Sequence, residues 1–256
     1  MTSTRINIGL LLLPSMRSLA YLSVFEQLGL CPSEIYWLEG GSLDLLDGLI
    51  KEDQKYNYSS SFFDLNFDVQ KYISKNNIEV RKINSSDINS DLVRQAIESS
   101  KCDYILFTGG GILKKHTLSV EKKLIHVHPG ILPEFRGSTC FYYSILQNNT
   151  LGSSAIFLEE EIDTGEVISS SRFSINYYIN SDQPMFMDHV LDPFIRAYTL
   201  KKVLNIYKQE RIIKGSSQDI SIYPAYYVMH PVLRHIAIER INSIFRVDKP
   251  VGIFEI

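Results

Sequence analysis

Several things are scarce in this sequence. Only three cysteines, Cys31, Cys102 and Cys140, occur in 256 residues, widely spaced and odd in number. They make no C-x-x-C pair and no disulfide framework, which suits a reducing compartment, so the expected location is the cytoplasm. Cationic charge is also in short supply: 26 Lys and Arg stand against 29 Asp and Glu, a formal net charge of −3. A tRNA or DNA binder would show a basic excess, so no nucleic-acid partner is expected. Long apolar runs are missing too. The longest candidate, Ile6 to Leu13, is stopped by Pro14, far short of the ~18 residues that cross a bilayer. With one Arg before it, that run has the outline of a weak signal peptide, but no small-residue cleavage site follows. It reads as a buried first strand, and no membrane partner is expected. Repeats and low-complexity tracts are absent.

What is present is an alternation of short apolar runs and helical patterns. Ile6–Leu13, Glu34–Leu38, Ile78–Ile83, Tyr104–Thr108 and Leu124–Val127 read as strands. Ser18–Leu28 and Asp91–Ser99 read as helices, the second capped by Asn89 or Ser90. Residues 41–75 are polar and tyrosine-rich and suggest a helix followed by a long surface loop. Further on, Ser138 is placed to cap a helix running to about Gln147, and Ser153–Leu158 and Val167–Ser174 read as strands joined by the acidic turn "EEEIDTGE". A helix is signalled at Asp192-Pro193, Asp as N-cap and Pro in the first turn, with Phe194, Tyr198, Val203 and Tyr207 as its buried stripe. The last forty residues are aromatic-rich and irregular. The expected fold is α/β, a mostly parallel twisted sheet flanked by helices and Rossmann-like, with a catalytic domain over 1–180 and a C-terminal helical and aromatic extension over 181–256 packed on it.

In such sheets working residues collect at the carboxyl ends of strands. Two sequences fall there, "TGGG" at 108–111 and "HVHPG" at 126–130. Strand parity points His126 and His128 to one side and Val127 to the other, and Pro129-Gly130 turns the chain away, offering both rings to a cleft. Asp163, in the acidic turn, can return to the same place. Two imidazoles and a carboxylate permit general acid/base work and polarisation of a carbonyl. Other readings stand beside this one. The pair can be two satisfied strand histidines, or part of a zinc site; zinc needs at least three protein ligands, and although His116 and Asp163 can be offered, no metal-like spacing links them. No metal is expected. "GGG" lacks the Lys-Ser/Thr of a phosphate cradle and fits a turn or close approach to a flat ring. Arg136 can hold an anionic group or pair with the acidic turn. Cys140 can be a reactive thiol or a small space-filler; no activating partner in the local signature favours the second. His230, His235 and tyrosines 223, 226 and 227 can simply pack, or one aromatic can stack on a substrate base.

"HVHPGILPEFRG" followed by "IDTGEVI" resembles the N10-formyltetrahydrofolate-dependent formyltransferase family, whose pattern is N-x-H-P-S-L-L-P-x-x-x-G and then an Asp in a D-x-G turn. The resemblance spans about Ile6 to Ser174. It places His128 on the catalytic histidine, Asp163 on the catalytic aspartate, and Pro129, Leu132, Pro133 and Gly137 on framework positions. It also implies a folate pocket bordered by Thr108, Gly109, Gly110, Gly111, Ile112, Leu113 and Ile162. His126 stands where the family has Asn, the amide that donates to the carbonyl oxygen; an imidazole N–H can donate as well. Ile156 stands where relatives often carry another histidine. The implied activity is transfer of a formyl group from N10-formyltetrahydrofolate to a primary amine. Among the family's amines, a nucleotide-linked amino sugar of bacterial surface-glycan synthesis is expected: the tail is short for the basic barrel of the tRNA enzymes and long for the ribonucleotide enzymes. The nearest resemblance is to pseudaminic-acid-type pathways, acting on a UDP-linked 4-amino-4,6-dideoxy sugar, with Arg136 and Tyr223 binding substrate and a homodimer through the extension. A glycinamide ribonucleotide formyltransferase, a formyltetrahydrofolate hydrolase and a non-catalytic binding relative are the alternatives.

Overall fold

The computed structural model describes residues 3–41 and 43–256. Met1 and Thr2, at the head of the leader-like stretch, and Ser42, within 41–75, lie outside them. In chain order the elements are β1 (Thr4–Leu12), α1 (Met16–Gln27), β2 (Leu30–Leu38), α2 (Leu46–Tyr56), α3 (Tyr58–Ser61), α4 (Val69–Lys75), β3 (Glu79–Ile83), α5 (Asp91–Glu98), β4 (Tyr104–Phe107), α6 (Lys115–Leu118) and β5 (Lys123–His128). There follow β6 (Arg136–Gly137), α7 (Cys140–Asn148), β7 (Thr150–Phe157), β8 (Val167–Asn176), a π-turn (Met187–Leu191), α8 (Asp192–Glu210), β9 (Ala225–Tyr226), α9 (Pro231–Ile244) and β10 (Gly252–Glu255). The main sheet has the strand order β10-β8-β7-β5-β4-β1-β2-β3, and β6 pairs with β9 separately. This is the expected mostly parallel α/β architecture.

The chain divides into two compact units. The first runs to His126 and takes in Phe157–Glu160. Its strands β3, β2, β1 and β4 and the start of β5 are all parallel. β1 carries an almost unbroken apolar run because both its faces are covered: Leu10, Leu11 and Leu12 are buried. Leu10 lies opposite both Ile35 of β2 and Leu106 of β4. α1 starts at Ser15, whose side chain accepts from the Ser18 amide, and α5 at Ser90, which accepts from Val93, one of the two caps expected.

In the stretch 41–75, α2 is the helix expected, and the long loop expected after it is corrected: it holds α3 and α4. Its anchors are polar residues that read as surface. Asp53 accepts from the Ser59 amide and hydroxyl at 2.7 and 2.6 Å, Asp68 caps α4 through Lys71, and the buried Tyr72 hydroxyl donates to the Leu30 carbonyl at 2.6 Å.

The second unit comprises Val127–Ile156 and Glu161–Ile256. β8 pairs antiparallel with β7 and, on its other edge, with β10. Three expectations are corrected here. Thr139, left-handed at φ 53°, precedes α7 in the cap position without a side-chain cap, and Ser138 does not cap it. Asp192 does not cap α8, because the π-turn already leads into the helix and the carboxylate binds Arg196 instead. α8 is buried nearly all round, so its stripe is broader than foreseen: Ile195, Leu200, Val203, Leu204 and Tyr207 are buried, whereas Phe194 and Tyr198 are only half-buried. The tail is more regular than its composition suggests, since α9 and β10 occupy much of it.

Leu10→Ala should lower the unfolding free energy by about 3 kcal/mol, the lost transfer term plus a cavity that a two-sided strand cannot collapse. Urea denaturation of the purified protein measures this; a change under about 1 kcal/mol would contradict the packing described.

Candidate active site

β5 ends in the H-x-H pair, and the two rings are not equivalent. His126 is half-buried, its ring 5.9 Å from that of Phe107. His128 is only 2% exposed, so the expectation that both rings are offered openly is corrected for His128. Its Nε2 lies 2.7 Å from the Phe135 carbonyl oxygen. A carbonyl only accepts, so Nε2 carries a proton and donates it. Its Nδ1 lies 3.3 Å from Asp163 Oδ2, and an ionised carboxylate also only accepts. Both ring nitrogens therefore hold protons when Asp163 is ionised, and one proton lies between the two side chains in either state.

Local backbone builds this arrangement. A Cβ at Gly130 would sit 2.5 Å from the Phe135 carbonyl and 2.9 Å from His128 Nε2; only glycine lets the loop close onto the ring. Asp163 is left-handed at φ 55°, a region Asp tolerates better than most residues, and this aims its carboxylate at both His128 and the Gly137 amide, which donates to Oδ2 at 2.9 Å. Gly137, at φ 103°, leaves no room for a Cβ against the Tyr226 backbone. Gln218 Nε2 pins the turn from behind through the carbonyls of Asp163, at 3.2 Å, and Gly165, at 2.5 Å. Burial opposes charge on His128, but the facing Asp163 carboxylate, with a smaller contribution from the Cys140 thiol, outweighs it and raises the imidazole to about 10. The raised value favours the protonated form of His128 beside Asp163. Asp163, with a side chain 12% exposed, is the member nearer solvent.

The other expected residues scatter by role. Thr108 is buried, with its hydroxyl 2.8 Å from that of Ser18 and accepting from the Leu13 amide; it braces the strand end. The Gly109 carbonyl accepts from Arg17 at 2.8 Å. Gly110 has open space where a Cβ would stand, and Gly111 takes a positive φ of 92°. Ile112 is 58% exposed and Ile162 is exposed as well, while Leu113 joins the buried cluster around Ile105 and Val93. Arg136 is buried, pairs with Glu161 at 3.4 Å and leaves Nε without a hydrogen-bond partner; of its two readings, the contact present is with the acidic turn.

Tyr223 is half-buried in a turn, its amide donating to the Ile220 carbonyl at 3.1 Å. The tyrosine beside the supports of the His128–Asp163 pair is instead Tyr226. It follows Ala225 in β9, opposite Gly137, stacks on Phe135 at 5.9 Å and lies tilted against Tyr143 at 4.3 Å. Its membership in the cluster 223, 226, 227 was the only signal. His230 caps α9 through Nδ1, and Tyr227 is exposed, not packed. His116 bonds Asp91. Among the described residues no group of three or more His, Cys, Asp or Glu can hold a metal ion, and no helix is long and apolar enough to cross a membrane.

The formyl transferase family model matches residues 58–197, more than half of the chain and including both motifs. The chain belongs to the formyl transferase family. A methionyl-tRNA formyltransferase from a Nitratiruptor species is 25% identical over 135 residues, 52% of this chain and 43% of that relative. The chain thus spans less than half the length of this curated relative. A sugar N-formyltransferase from a Shewanella species superposes with a TM-score of 0.53 at 11% identity, covering 97% of this chain and 91% of that one. Phosphoribosylglycinamide formyltransferase from Anaplasma phagocytophilum gives 0.53 at 15% identity, covering 89% and 100%. At such identities the structures share a fold. Enzymes of this family generally use N10-formyltetrahydrofolate.

The raised His128 sets a pH dependence of stability. A histidine whose folded pKa exceeds its unfolded value of about 6.5 stabilises fully below that pH and loses the contribution as pH rises through the folded value. The unfolding free-energy difference between wild type and Asp163→Asn, which keeps a residue tolerant of positive φ, should therefore be largest near pH 6 and shrink towards pH 10. Chemical denaturation across that range measures it; a difference constant with pH would contradict the ion pair.

Proposed function

We propose that the protein transfers the formyl group of N10-formyltetrahydrofolate to the primary amine of a nucleotide-linked amino sugar. The observation that carries the transfer chemistry is the buried ring of His128, bonded to the Phe135 carbonyl, behind the partly exposed carboxyl group of Asp163. In the reaction the unprotonated amine nitrogen bonds to the formyl carbon, the bond from that carbon to the folate nitrogen breaks, and one amine proton ends on the folate nitrogen. Asp163 is the group that takes and returns this proton. His128, with Nε2 committed to the Phe135 carbonyl, works from behind: its charge keeps the carboxylate ionised and oriented. His126 supplies the N–H that stabilises the carbonyl oxygen as charge gathers there, a donor of a kind worth about 10²–10³ in rate. N10-formyltetrahydrofolate supplies the activated one-carbon group. Gly109 to Ile112 suit its flat ring, since Gly110 carries open space and Ile112 offers exposed apolar surface; Leu113 supports this segment from the core, Thr108 braces its start, and Ile162 borders the same ligand. Arg136 is the residue for an anionic group of the amine substrate, on the strength of its unpartnered Nε.

The choice of a sugar substrate is supported by the fold shared almost end to end with a protein described as a sugar N-formyltransferase. The UDP-linked 4-amino-4,6-dideoxy sugar is the specific candidate, in a cytoplasmic enzyme that pairs as a homodimer through residues 181–256. Incubation with N10-formyltetrahydrofolate and a panel of nucleotide amino sugars, glycinamide ribonucleotide and methionyl-tRNA tests it. Consumption of the folate only when a nucleotide amino sugar is present is expected. Consumption with glycinamide ribonucleotide or methionyl-tRNA alone, or with no amine at all, would reassign the substrate or make the protein a hydrolase; no consumption with any amine would make it a binding protein.

A further inference from the structure

Between His126 and His128, the carbonyl of Val127 accepts a hydrogen bond from outside the sheet. The parallel register of β5 with β4 runs from Lys123 to Ile125, and beyond it the Val127 oxygen accepts from Arg196 Nη1 of α8 at 2.6 Å. Arg196 is itself buried, and its Nε donates to Asp192 Oδ1 one helical turn earlier at 2.9 Å. Asp192 is buried as well and lies in the first turn of α8, where the helix dipole favours a carboxylate. Two charges have been taken out of water where Arg196 holds the strand end. A hydrophobic pair of similar volume would pack this helix without that cost, so stability alone does not explain their presence.

The bonded carbonyl belongs to the peptide that carries the His128 nitrogen. Because a peptide is planar, fixing the Val127 oxygen fixes the plane from which the His128 side chain departs. A planar guanidinium can hold carboxylate and carbonyl at once, in a set geometry that a lysine ammonium on a flexible stem does not reproduce. Resting on the reading of His128 and Asp163 given above, we propose that Arg196, oriented by Asp192, is a positioning residue for the reaction: it sets the peptide of His128 so that the ring meets the Phe135 carbonyl and the Asp163 carboxylate together. The groups that face the ring are Asp163, Cys140 and the Phe135 carbonyl.

The test is the double variant Asp192→Leu/Arg196→Met, which removes both charges together, so that neither member of the pair is left alone inside. Its far-UV circular dichroism should match wild type. In formyl transfer, kcat should fall about tenfold or more with KM for the folate changed by less than about twofold, because misplacement of a reacting group costs rate and not ground-state binding. The midpoint of the His128 ring titration, followed by NMR and assigned with His128→Gln, should fall by about one unit or more, since the ring loses its alignment with Asp163 while net buried charge is unchanged. Arg196→Lys, which keeps the charge, should lower kcat and the midpoint by less, and serves as the test if the double variant does not fold. An unchanged midpoint in a folded variant overturns the proposal, as does a kcat within about twofold of wild type. If the wild type transfers no formyl group to any amine, the functional reading fails, and the titration still decides whether Arg196 positions His128.

Discussion

An imidazole lodged between a carbonyl and a carboxylate satisfies both only by keeping both its protons. That constraint at His128 organises everything around it. The Phe135 carbonyl can reach Nε2 because residue 130 has no side chain. The Asp163 carboxylate can reach Nδ1 because residue 163 accepts a left-handed backbone and because Gln218 and the Gly137 amide hold its turn. Each support is individually a hydrogen bond of ordinary worth, about 1 kcal/mol; together they keep a charged ring in a place where burial would otherwise discharge it.

The chemistry follows from which member of the pair meets solvent. A buried imidazolium holds its carboxylate partner ionised, and an ionised, partly exposed carboxylate can receive a proton from an attacking amine. In the proposed reaction, formyl transfer asks for a proton path, and the pair of His128 and Asp163 is the group suited to supply it. Specificity for one amine over another must be read from other residues, and the aromatic group of Phe135, Tyr143 and Tyr226 lies against the very segment, Arg136–Gly137, that supports Asp163.

Much of this was legible in the residue order, and the gaps have physical causes. Apolar runs buried on both faces, such as β1 and β4, announce parallel strands without ambiguity, and the joint spacing of His128 and Asp163 carried the family. The part of 41–75 after its first helix is helical where a loop is expected, because α3 and α4 are anchored by Asp53, Asp68 and Tyr72, whose polar atoms are bonded inside the fold; periodicity counts apolar residues and misses such anchors. Asp192 looked like a cap because Asp-Pro so often is one, yet a partner four residues along, Arg196, claimed the carboxylate. Nothing in three near-adjacent tyrosines reveals that a two-residue strand brings Tyr226 beside Gly137. The burial of His128 was missed for a similar reason: strand parity gives the side a ring faces and not what covers it.

The most direct measurement is single-turnover formyl transfer with the folate already bound, comparing wild type with Asp163→Asn and His128→Gln. The account predicts that both variants bind the folate with near-wild-type affinity, while transfer to the amine slows at least about a hundredfold in each, as expected when a positioned proton-transfer group, or the ring that orients it, is lost. Transfer at close to the wild-type rate in either folded variant would contradict it.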